Sequence, residues 1–404
     1  MKKNKRIYLD YAATTPLAPE TLKEMLPYLK KDFGNSSSIH WFGQKAQEGL
    51  DKARERVSQF LNCSFSEVIF TGSATEANNL VIFGVVKDYQ VKAHRKGKIK
   101  PHIITTKIEH HAVLEPCREL EKEGVEITYL PVDKEGLIKI SDLEKAIKEN
   151  TLLVSIMYAN NEIGTIQPIA EIGKLIKKLN LRYKLRAPSY KIYFHTDAVQ
   201  AVNYLDCDVK KLGVDLLTLS AHKIYGPKGV GALYIKSGTP ITPLIYGGGH
   251  EGGLRSGTEN VAGIVGLGAA IAQVSSFKFQ VSRISKLRNK LIDGILKKIS
   301  GTKLNGSREK RLANNVNISI TGAEGESMVI ALDQEGIAVS TGSACSSRSL
   351  EPSHVLLALG LSPKEAHGSL RLTLGRYTTE KEVDRVLEVL PKVVQMLRKI
   401  SPFK

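Results

Sequence analysis

A lysine near the middle of the chain, Lys223, stands in a setting that suits covalent catalysis. It follows the apolar run Leu216–Ser220, and the chain then turns through Gly226 and Pro227. A flexible amine whose pKa falls on partial burial is the group that forms Schiff bases with carbonyl compounds. A lysine at a surface turn is the ordinary alternative. The residues described below favour the Schiff-base role.

A carboxylate, Asp197, follows a second apolar run, Ile192–Phe194. A carboxylate that enters a core from a strand end needs a cationic partner. A protonated pyridine nitrogen would supply one, and this contact keeps such a ring an electron sink. The alternatives are a helix N-cap, which Asp forms well, and metal ligation together with His195. No third ligand stands at the expected spacing, so no metal site is predicted.

The segment from Thr71 to Glu76 predicts a strand-to-helix turn that can bind an anion. Ser73 and Glu76 form a capping-box pattern, and the small residues around Ala74 and Thr75 leave backbone N–H groups open at the positive end of the helix dipole. No Gly-Lys-Ser/Thr follows, so the turn is not a Walker motif. A well-capped structural helix explains this segment alone equally well.

Three further polar residues follow predicted strands. His110 can lie against an aromatic ring and pass protons near neutral pH. Asn161 and Gln200 can hydrogen-bond the substituents of such a ring. The alternatives are a structural histidine and ordinary turn or cap chemistry. In open parallel sheets, ligands bind beyond the carboxyl ends of the strands, so polar residues at five such ends favour one shared site.

Cys345 lies within Ser340–Ser347, among small residues rather than in an apolar stretch. Such a loop can carry an exposed, reactive thiolate, whereas the other three cysteines are expected to be inert packing residues. Arg371, on a predicted strand, can fork onto a substrate carboxylate. Gly247–Gly252 matches a dinucleotide motif by letter only, because no clear strand precedes it. With Thr258 it is interpreted as an anion-contacting loop.

Strand-like and helical stretches alternate through residues 60–260, which predicts an α/β fold with a largely parallel sheet and helices on both faces. The predicted strands are Glu67–Phe70, Ile103–Thr106, Glu126–Leu130, Leu152–Met157, Lys191–His195, Leu216–Ser220 and Gly231–Ile235. The predicted helices between them are Glu76–Val86, Val113–Glu123, Ser141–Lys148 and Ile169–Leu179. A long helical region covers about 260–300. Residues 301–404 are predicted to form a smaller α+β unit with strands near Asn315–Ile320 and Ser369–Leu374.

The composition fits a two-domain globular protein of 404 residues, with 42% hydrophobic residues and four cysteines that lack a CxxC spacing. No apolar run reaches the length of about 18 residues that indicates a membrane span. No apolar signal segment follows the first lysines, so a cytoplasmic location is expected. The net charge of +17 raises nucleic acid as a partner. Its spread over predicted helix faces, without interleaved aromatics, argues against direct nucleic-acid binding.

Taken together, these motifs resemble those of the cysteine desulfurases, pyridoxal-phosphate enzymes of the class V aminotransferase group, over nearly the whole chain. The segments that carry the resemblance are Tyr8–Pro16, Phe33–Asn35, Asn160–Gly164, Ser220–Gly229, Arg255–Thr258, Gly342–Cys345 and Leu350–Ser353. The resemblance implies the type I fold of pyridoxal-phosphate-dependent transferases. The expected large domain comprises residues 14–275, and the small domain comprises residues 1–13 and 276–404.

The resemblance also implies a role for each candidate residue. Those implied to contact the ring of pyridoxal 5'-phosphate are Lys223, which forms the Schiff base, His110, Asp197, Asn161 and Gln200. Those implied to hold its phosphate are Ala74, Thr75, Ser220, His222 and Thr258 of the partner subunit. Those implied to hold the substrate carboxylate are Asn35 and Arg371.

The mechanism implied by the resemblance begins when L-cysteine displaces Lys223, which then moves the α-proton. Cys345 attacks the substrate sulfur, which leaves a persulfide on Cys345 and releases alanine. The implied partners are a second copy of the chain and sulfur acceptors, either an iron–sulfur scaffold or a tRNA-thiolation enzyme. Two alternatives stay open. In the first alternative, the chain is another class V enzyme, such as an aminotransferase or a selenocysteine lyase. In the second, it is a non-catalytic basic protein that binds RNA or a scaffold.

Three features depart from the expected pattern. The turn Gly72–Thr75 lacks a serine before its glycine, and Asn180–Tyr190 has the composition of a basic insertion. The chain also stops at Lys404, short of the tail with which relatives dock a cluster scaffold, so docking by that route is not expected.

Overall fold

The computed structural model describes residues 6–93, 100–184, 191–277, 280–342 and 351–400. The strands in these ranges are β1 (Ile7–Tyr8), β2 (Val68–Thr71), β3 (His102–Thr106), β4 (Glu126–Leu130), β5 (Thr151–Ser155), β6 (Tyr193–Asp197), β7 (Leu216–Ser220), β8 (Gly231–Ile235), β9 (Thr302–Leu304), β10 (Asn315–Ile320), β11 (Ile337–Ala338) and β12 (Ser369–Thr373). The α-helices are α1 (Pro19–Lys30), α2 (Trp41–Leu61), α3 (Ala74–Ala93), α4 (His111–Lys122), α5 (Ile140–Ala146), α6 (Ile169–Lys184), α7 (Val209–Leu212), α8 (Val261–Phe277), α9 (Val281–Lys298), α10 (Gly325–Gln334), α11 (His354–Ala358), α12 (Pro363–His367) and α13 (Glu380–Ile400).

The main sheet has seven strands in the order β2-β8-β7-β6-β5-β3-β4. Strand β8 runs antiparallel to both of its neighbours, and the other pairings are parallel. The largely parallel sheet predicted from the sequence is confirmed. The reversal at β8 follows from the short connection 221–230, because a parallel return needs a crossover of roughly a dozen residues or more.

Helices α2 and α8 cross closely over the sheet. Helix α2 begins after His40, whose ring accepts a hydrogen bond from Gly43 N at 3.3 Å, and ends at Asn62, which adopts the left-handed conformation with φ of 55°. A Cβ built on Gly268 of α8 would lie 2.7 Å from Ala53 Cα. Only a glycine therefore allows this crossing, which carries α8 into the main core.

A second, three-stranded antiparallel sheet has the order β12-β10-β9. Its apolar face packs with α9, α10 and α13 in a separate core cluster. The N-terminal residues Ile7 and Leu9 belong to this cluster, and β1 pairs in parallel with β11. This packing supports the small domain of residues 1–13 and 276–404, which remains a proposal.

The basic stretch Asn180–Tyr190, interpreted from the sequence as an insertion, begins within a regular element. Helix α6 continues to Lys184, and the Asn180 carboxamide bridges to the backbone before β6: its Nδ2 donates to Ile192 O at 2.9 Å, and its Oδ1 accepts from Ile192 N at 2.8 Å. Residues 185–190 lie outside the described ranges. None of the helices in the described ranges has both the length and the apolar character that crossing a bilayer requires.

Candidate active site

Several of the candidate residues lie at one edge of the main sheet, as the sheet topology predicts. Because β2, β7, β6, β5 and β3 all run in one direction, their carboxyl ends lie at one edge of the sheet. Strand β8 starts at the same edge. A Cβ on Gly231, its first residue, would lie 2.9 Å from the Ser73 carbonyl carbon and 3.0 Å from Ala74 N. The turn that precedes α3 therefore packs directly on the strand ends.

Asp197 ends β6 and is buried, with 7% of its surface exposed. Its Oδ2 accepts from Asn78 Nδ2 at 2.8 Å, and its Oδ1 accepts from Val199 N at 3.0 Å. Both partners are neutral, so the arrangement suits a further, cationic partner. The contact of Asn78 with Asp197 was not predicted from the sequence. The sequence does contain a signal for this residue: Asn78 is an amide next to the apolar stretch of α3. It lies one turn beyond Ala74 and therefore on the same face of the helix.

Lys223 follows β7 in a single 3₁₀ turn. Its Nζ donates to Ala12 O at 2.6 Å and to Ala13 O at 2.8 Å. Its backbone carbonyl accepts from Asn203 Nδ2 at 2.8 Å. The ammonium group therefore faces the N-terminal segment of the chain, a contact more than 200 positions away that sequence analysis did not predict. Gln200 Nε2 donates to the same Ala12 oxygen at 3.0 Å, which places this amide beside the lysine.

His110 caps α4. Its Nδ1 accepts from Ala112 N at 3.0 Å, so the proton of the neutral ring lies on Nε2. Burial lowers the pKa of His110; the Asp197 carboxylate opposes this effect, and the Lys223 ammonium adds to it. The imidazole is therefore neutral near pH 7, and it interacts electrostatically with both Asp197 and Lys223.

The turn before α3, which was predicted to bind an anion, keeps half of the predicted capping box. Ser73 Oγ accepts from Glu76 N at 3.1 Å, as predicted, but Glu76 Oε2 accepts from Gly72 N at 2.9 Å instead of from the Ser73 backbone. Arg255 Nε lies 3.0 Å from Glu76 Oε1. This pairing offsets a carboxylate that would otherwise repel an anion at the start of α3.

The residues predicted to hold a phosphate differ in their exposure. Ser220 is buried, Ala74 and His222 are half-buried, and Thr75 and Thr258 are exposed. His222 Nδ1 lies 3.2 Å from the Thr14 hydroxyl. Burial lowers the pKa of His222 to about 4, with the charges of Lys223 and Lys228 adding to the effect, so its ring is neutral.

Arg371 is almost fully buried, with 2% of its surface exposed. Its Nη1 donates to Asn161 O at 3.0 Å and to Gly342 O at 3.2 Å, and its Nη2 pairs with Asp10 Oδ1 at 2.8 Å. Its Nε is buried and has no hydrogen-bond partner among the described residues. The guanidinium therefore lies beside the backbone of Asn161. The pairing with Asp10 was not predicted.

Asn35 does not join this group within one chain. It is exposed, and its Oδ1 accepts from Ser37 N at 2.9 Å. The adjacent Ser36 donates to Glu259 Oε2 at 2.7 Å, which places Asn35 on the same exposed face as Thr258.

A second buried carboxyl, Glu109, lies directly before His110 and had been given no role. Its Oε1 accepts from Thr106 Oγ1 at 2.8 Å and from Met157 N at 2.9 Å, so it ties the end of β3 to the residues after β5. Burial raises the pKa of Glu109 to about 8, and the negative charge of Asp197 adds to the effect. This carboxyl is therefore largely protonated at pH 7.

Cys345 lies outside the described residues. Among the cysteines that are described, Cys117 and Cys207 are buried and Cys63 is half-buried. Burial raises the pKa of Cys63 and of Cys117 to about 12. Thiols with such values are not nucleophiles near neutral pH, which agrees with the inert packing role expected for them.

Comparisons with known proteins match this description. The family model for class-V aminotransferases matches residues 7–386. The cysteine desulfurase IscS of Dictyoglomus turgidum is 52% identical over 401 residues, which cover 99% of this chain and 97% of that protein. A solved NifS-like protein is 38% identical with a TM-score of 0.87, covering 97% of this chain and 100% of the other. A structure titled SspA in complex with cysteine is 37% identical with a TM-score of 0.78, covering 92% and 100% of the two chains.

The sheet, its helices and the strand-end site define an enzyme with the type I fold of pyridoxal-phosphate-dependent transferases. Within that class, the chain belongs to the class-V aminotransferase family, and among its members to the cysteine desulfurases.

Proposed function

We propose that the protein takes sulfur from L-cysteine with the help of pyridoxal 5'-phosphate, giving L-alanine and a persulfide on Cys345. The observation that carries the proposal is the arrangement of three side chains beyond the carboxyl ends of β6, β7 and β3, at one edge of the main sheet. The buried carboxylate of Asp197 ends β6, the amine of Lys223 follows β7, and the neutral imidazole of His110 feels both charges.

The residues present fit this cofactor. The neutral partners of Asp197 leave its charge available to hold the proton of a pyridine nitrogen. The start of α3 offers backbone N–H donors for a phosphate, and Ala74, Thr75, Ser220 and His222 would hold it, together with Thr258 of the partner subunit.

The ring has its own set of residues in the proposal. His110 would lie on its face, Asn161 and Gln200 would contact its substituents, and Lys223 would bind its aldehyde carbon. When bound, pyridoxal phosphate supplies an electron sink for negative charge that develops at the α-carbon of the substrate.

The chain's own residues account for the remaining chemistry. Arg371 and Asn35 bind the substrate carboxylate, and Lys223 Nζ takes the proton from the substrate α-carbon. The Cys345 thiolate forms a bond to the substrate sulfur while the carbon–sulfur bond breaks. The electron pair of that bond passes to the substrate β-carbon, which takes up a proton. The proton held by Lys223 Nζ returns to the α-carbon, and the product leaves as alanine. Sulfur therefore remains as a persulfide on Cys345.

The proposed assembly is a homodimer. Large apolar side chains are exposed next to Asn35, including Phe33, Ile39, Trp41 and Phe42, of which Phe33 and Phe42 stack at 5.4 Å between ring centroids. A contiguous apolar patch of this kind is typical of an interface. A second copy seated on it would cover the patch and bring Asn35 and Thr258 toward the partner's strand ends.

Other parts of the proposal concern what lies beyond the site. The persulfide sulfur would pass to an acceptor protein, either an iron–sulfur scaffold or a tRNA-thiolation enzyme. The cytoplasmic location and the lack of direct nucleic-acid binding remain predictions from the sequence.

Two substitutions test the function. Purified protein should show a visible absorbance band that is lost in Lys223→Ala. Cys345→Ala should keep the band but release no sulfide when L-cysteine is added together with a thiol reductant, which frees the persulfide sulfur as sulfide in the wild-type protein. Cys63→Ala is the matched control, because this thiol is half-buried with a raised pKa, and it should leave the rate unchanged. Undiminished sulfide release by Cys345→Ala would defeat the proposed mechanism. A colourless wild-type protein would defeat the proposed cofactor.

A further inference from the structure

Glu162, which follows Asn161 in the sequence, has a buried carboxyl group to which the proposed function gives no role. Only 1% of its surface is exposed. Its backbone is held from both sides: its N–H donates to Asn160 Oδ1 at 2.8 Å, and its carbonyl accepts from Asn315 Nδ2 at 2.9 Å and from Asn317 Nδ2 at 3.1 Å. The direction of the side chain is therefore set by the backbone. A buried carboxylate lowers stability unless hydrogen bonds compensate it, so its contacts indicate its role.

Those contacts are with residues on either side of Cys345 in the sequence. Ser353 Oγ donates to Glu162 Oε2 at 2.5 Å. Gly342 packs against the same oxygen, since a Cβ built on Gly342 would lie only 2.6 Å from it. A larger residue at position 342 would force the carboxylate to shift. One oxygen of Glu162 therefore contacts the chain three positions before Cys345 and eight positions after it.

Arg371 completes the arrangement. Its Nη1 donates to Gly342 O, and the backbone of Arg371 exchanges two hydrogen bonds with Ser340, of 2.7 and 3.2 Å. Burial raises the pKa of Glu162, while the Ser353 hydrogen bond and the charge of Arg371 oppose this effect. Gly342 and Ser353 are thus held next to the guanidinium that the proposed function assigns to the substrate carboxylate.

We propose that Glu162 is a positioning residue that holds Gly342 and Ser353 beside Arg371 and thereby speeds the transfer of sulfur from the substrate to Cys345. This inference rests on the proposed function. It concerns only the step in which the Cys345 thiolate forms the sulfur–sulfur bond and the substrate carbon–sulfur bond breaks. Glu162 touches neither the substrate nor the cofactor in this account, so cofactor loading and substrate affinity do not depend on it.

The test is Ser353→Ala in the cofactor-loaded enzyme. Removing the hydrogen bond from Ser353 to Glu162 is expected to lower kcat for sulfide release, measured with a thiol reductant present, roughly tenfold. The KM for L-cysteine and the visible absorbance band should not change. The formation of persulfide on Cys345 in a single turnover, followed by mass spectrometry, should slow by the same factor. Ser353→Thr keeps the hydroxyl and should restore the rate.

Ser362→Ala is the matched control. Ser353 also caps α11, and Ser362 caps α12 in the same way by accepting from Glu365 N at 3.3 Å. Loss of a cap alone should therefore leave kcat unchanged. The variant that combines Glu162→Gln with Ser353→Ala should be no slower than Ser353→Ala, because both changes act on one contact.

The outcomes separate this inference from the proposed function. The inference is overturned if Ser353→Ala turns over like Ser362→Ala, or if it raises KM or loses the absorbance band. If wild-type enzyme releases no sulfide from L-cysteine in the presence of a thiol reductant, the proposed function itself has failed, and the inference fails with it.

Discussion

Replacing Glu109 by Gln should remove a pH dependence of stability that a buried carboxyl imposes on the fold. Glu109 is fully buried, and its Oε1 accepts hydrogen bonds from Thr106 and Met157. Its Oε2 is buried without a partner among the described residues. Gln has the same shape as the protonated carboxyl and can keep both hydrogen bonds through its carbonyl oxygen. The substitution therefore removes the ionisation and leaves the packing intact.

The size of the effect follows from linkage. The carboxyl in the unfolded chain ionises near its ordinary pKa of 4.5, whereas Glu109 in the folded protein stays protonated up to about pH 8. The folded state therefore binds more protons in this window, and the stability falls as the pH rises through it. At about 1.4 kcal/mol for each unit of pKa, the loss between pH 4.5 and pH 8 is roughly 4–5 kcal/mol. In the Gln variant this loss is absent.

Denaturant unfolding at several pH values between 4.5 and 8 measures this effect. The midpoint of Glu109→Gln relative to wild type should rise steadily across the window. Glu123→Gln removes an exposed carboxyl just beyond α4 and is the matched control, for which the difference should stay flat. The reasoning is refuted if the difference between Glu109→Gln and wild type is independent of pH, since the buried carboxyl would then ionise as it does in the unfolded chain.

Three further predictions concern the site and its packing. Arg371→Lys keeps the charge but loses the fork that binds Asp10 and two carbonyls, so KM for L-cysteine should rise about tenfold or more in steady-state assays. Burial lowers the pKa of His110, so a fall in kcat at acid pH that is caused by protonation of His110 should occur below pH 6.5. If the pH dependence of kcat shows this fall above pH 7 and His110→Gln abolishes it, the neutral imidazole at pH 7 is contradicted. A Cβ on Gly375 would lie 2.1 Å from the Tyr11 ring, so Gly375→Ala should lower stability by about 1–3 kcal/mol, and an unchanged thermal midpoint would rule out this contact.

Much of the main sheet could be predicted from the sequence. The strands Glu126–Leu130, Leu216–Ser220 and Gly231–Ile235 were predicted with their observed bounds, because each is a short apolar run closed by polar or glycine residues. The helix starting at Ala74 was placed two residues late. Its first turn is made of small and polar residues, which carry no helical periodicity.

The pairings that hold the site residues could not be predicted. Asp10 and Arg371 are 361 positions apart, and neither shows in the sequence which partner it binds. Asn78 looked like an ordinary helix residue, although it binds Asp197. Sequence periodicity reports which face of an element is buried, but it does not report which two buried polar groups meet across the fold.

The N-terminal segment Asp10–Thr15 explains why such contacts matter for the site. It binds the lysine amine through the carbonyls of Ala12 and Ala13, and the Ala12 N–H donates to Thr373 Oγ1 on β12 at 2.9 Å. The same few residues thus join the end of the main sheet to the strand that carries Arg371. Free lysine side chains have considerable rotamer entropy, and two carbonyl acceptors at 2.6 and 2.8 Å restrict it before any ligand arrives. The segment that orients the amine directly follows β1, which pairs with β11, so the site depends on contacts that span more than 200 positions.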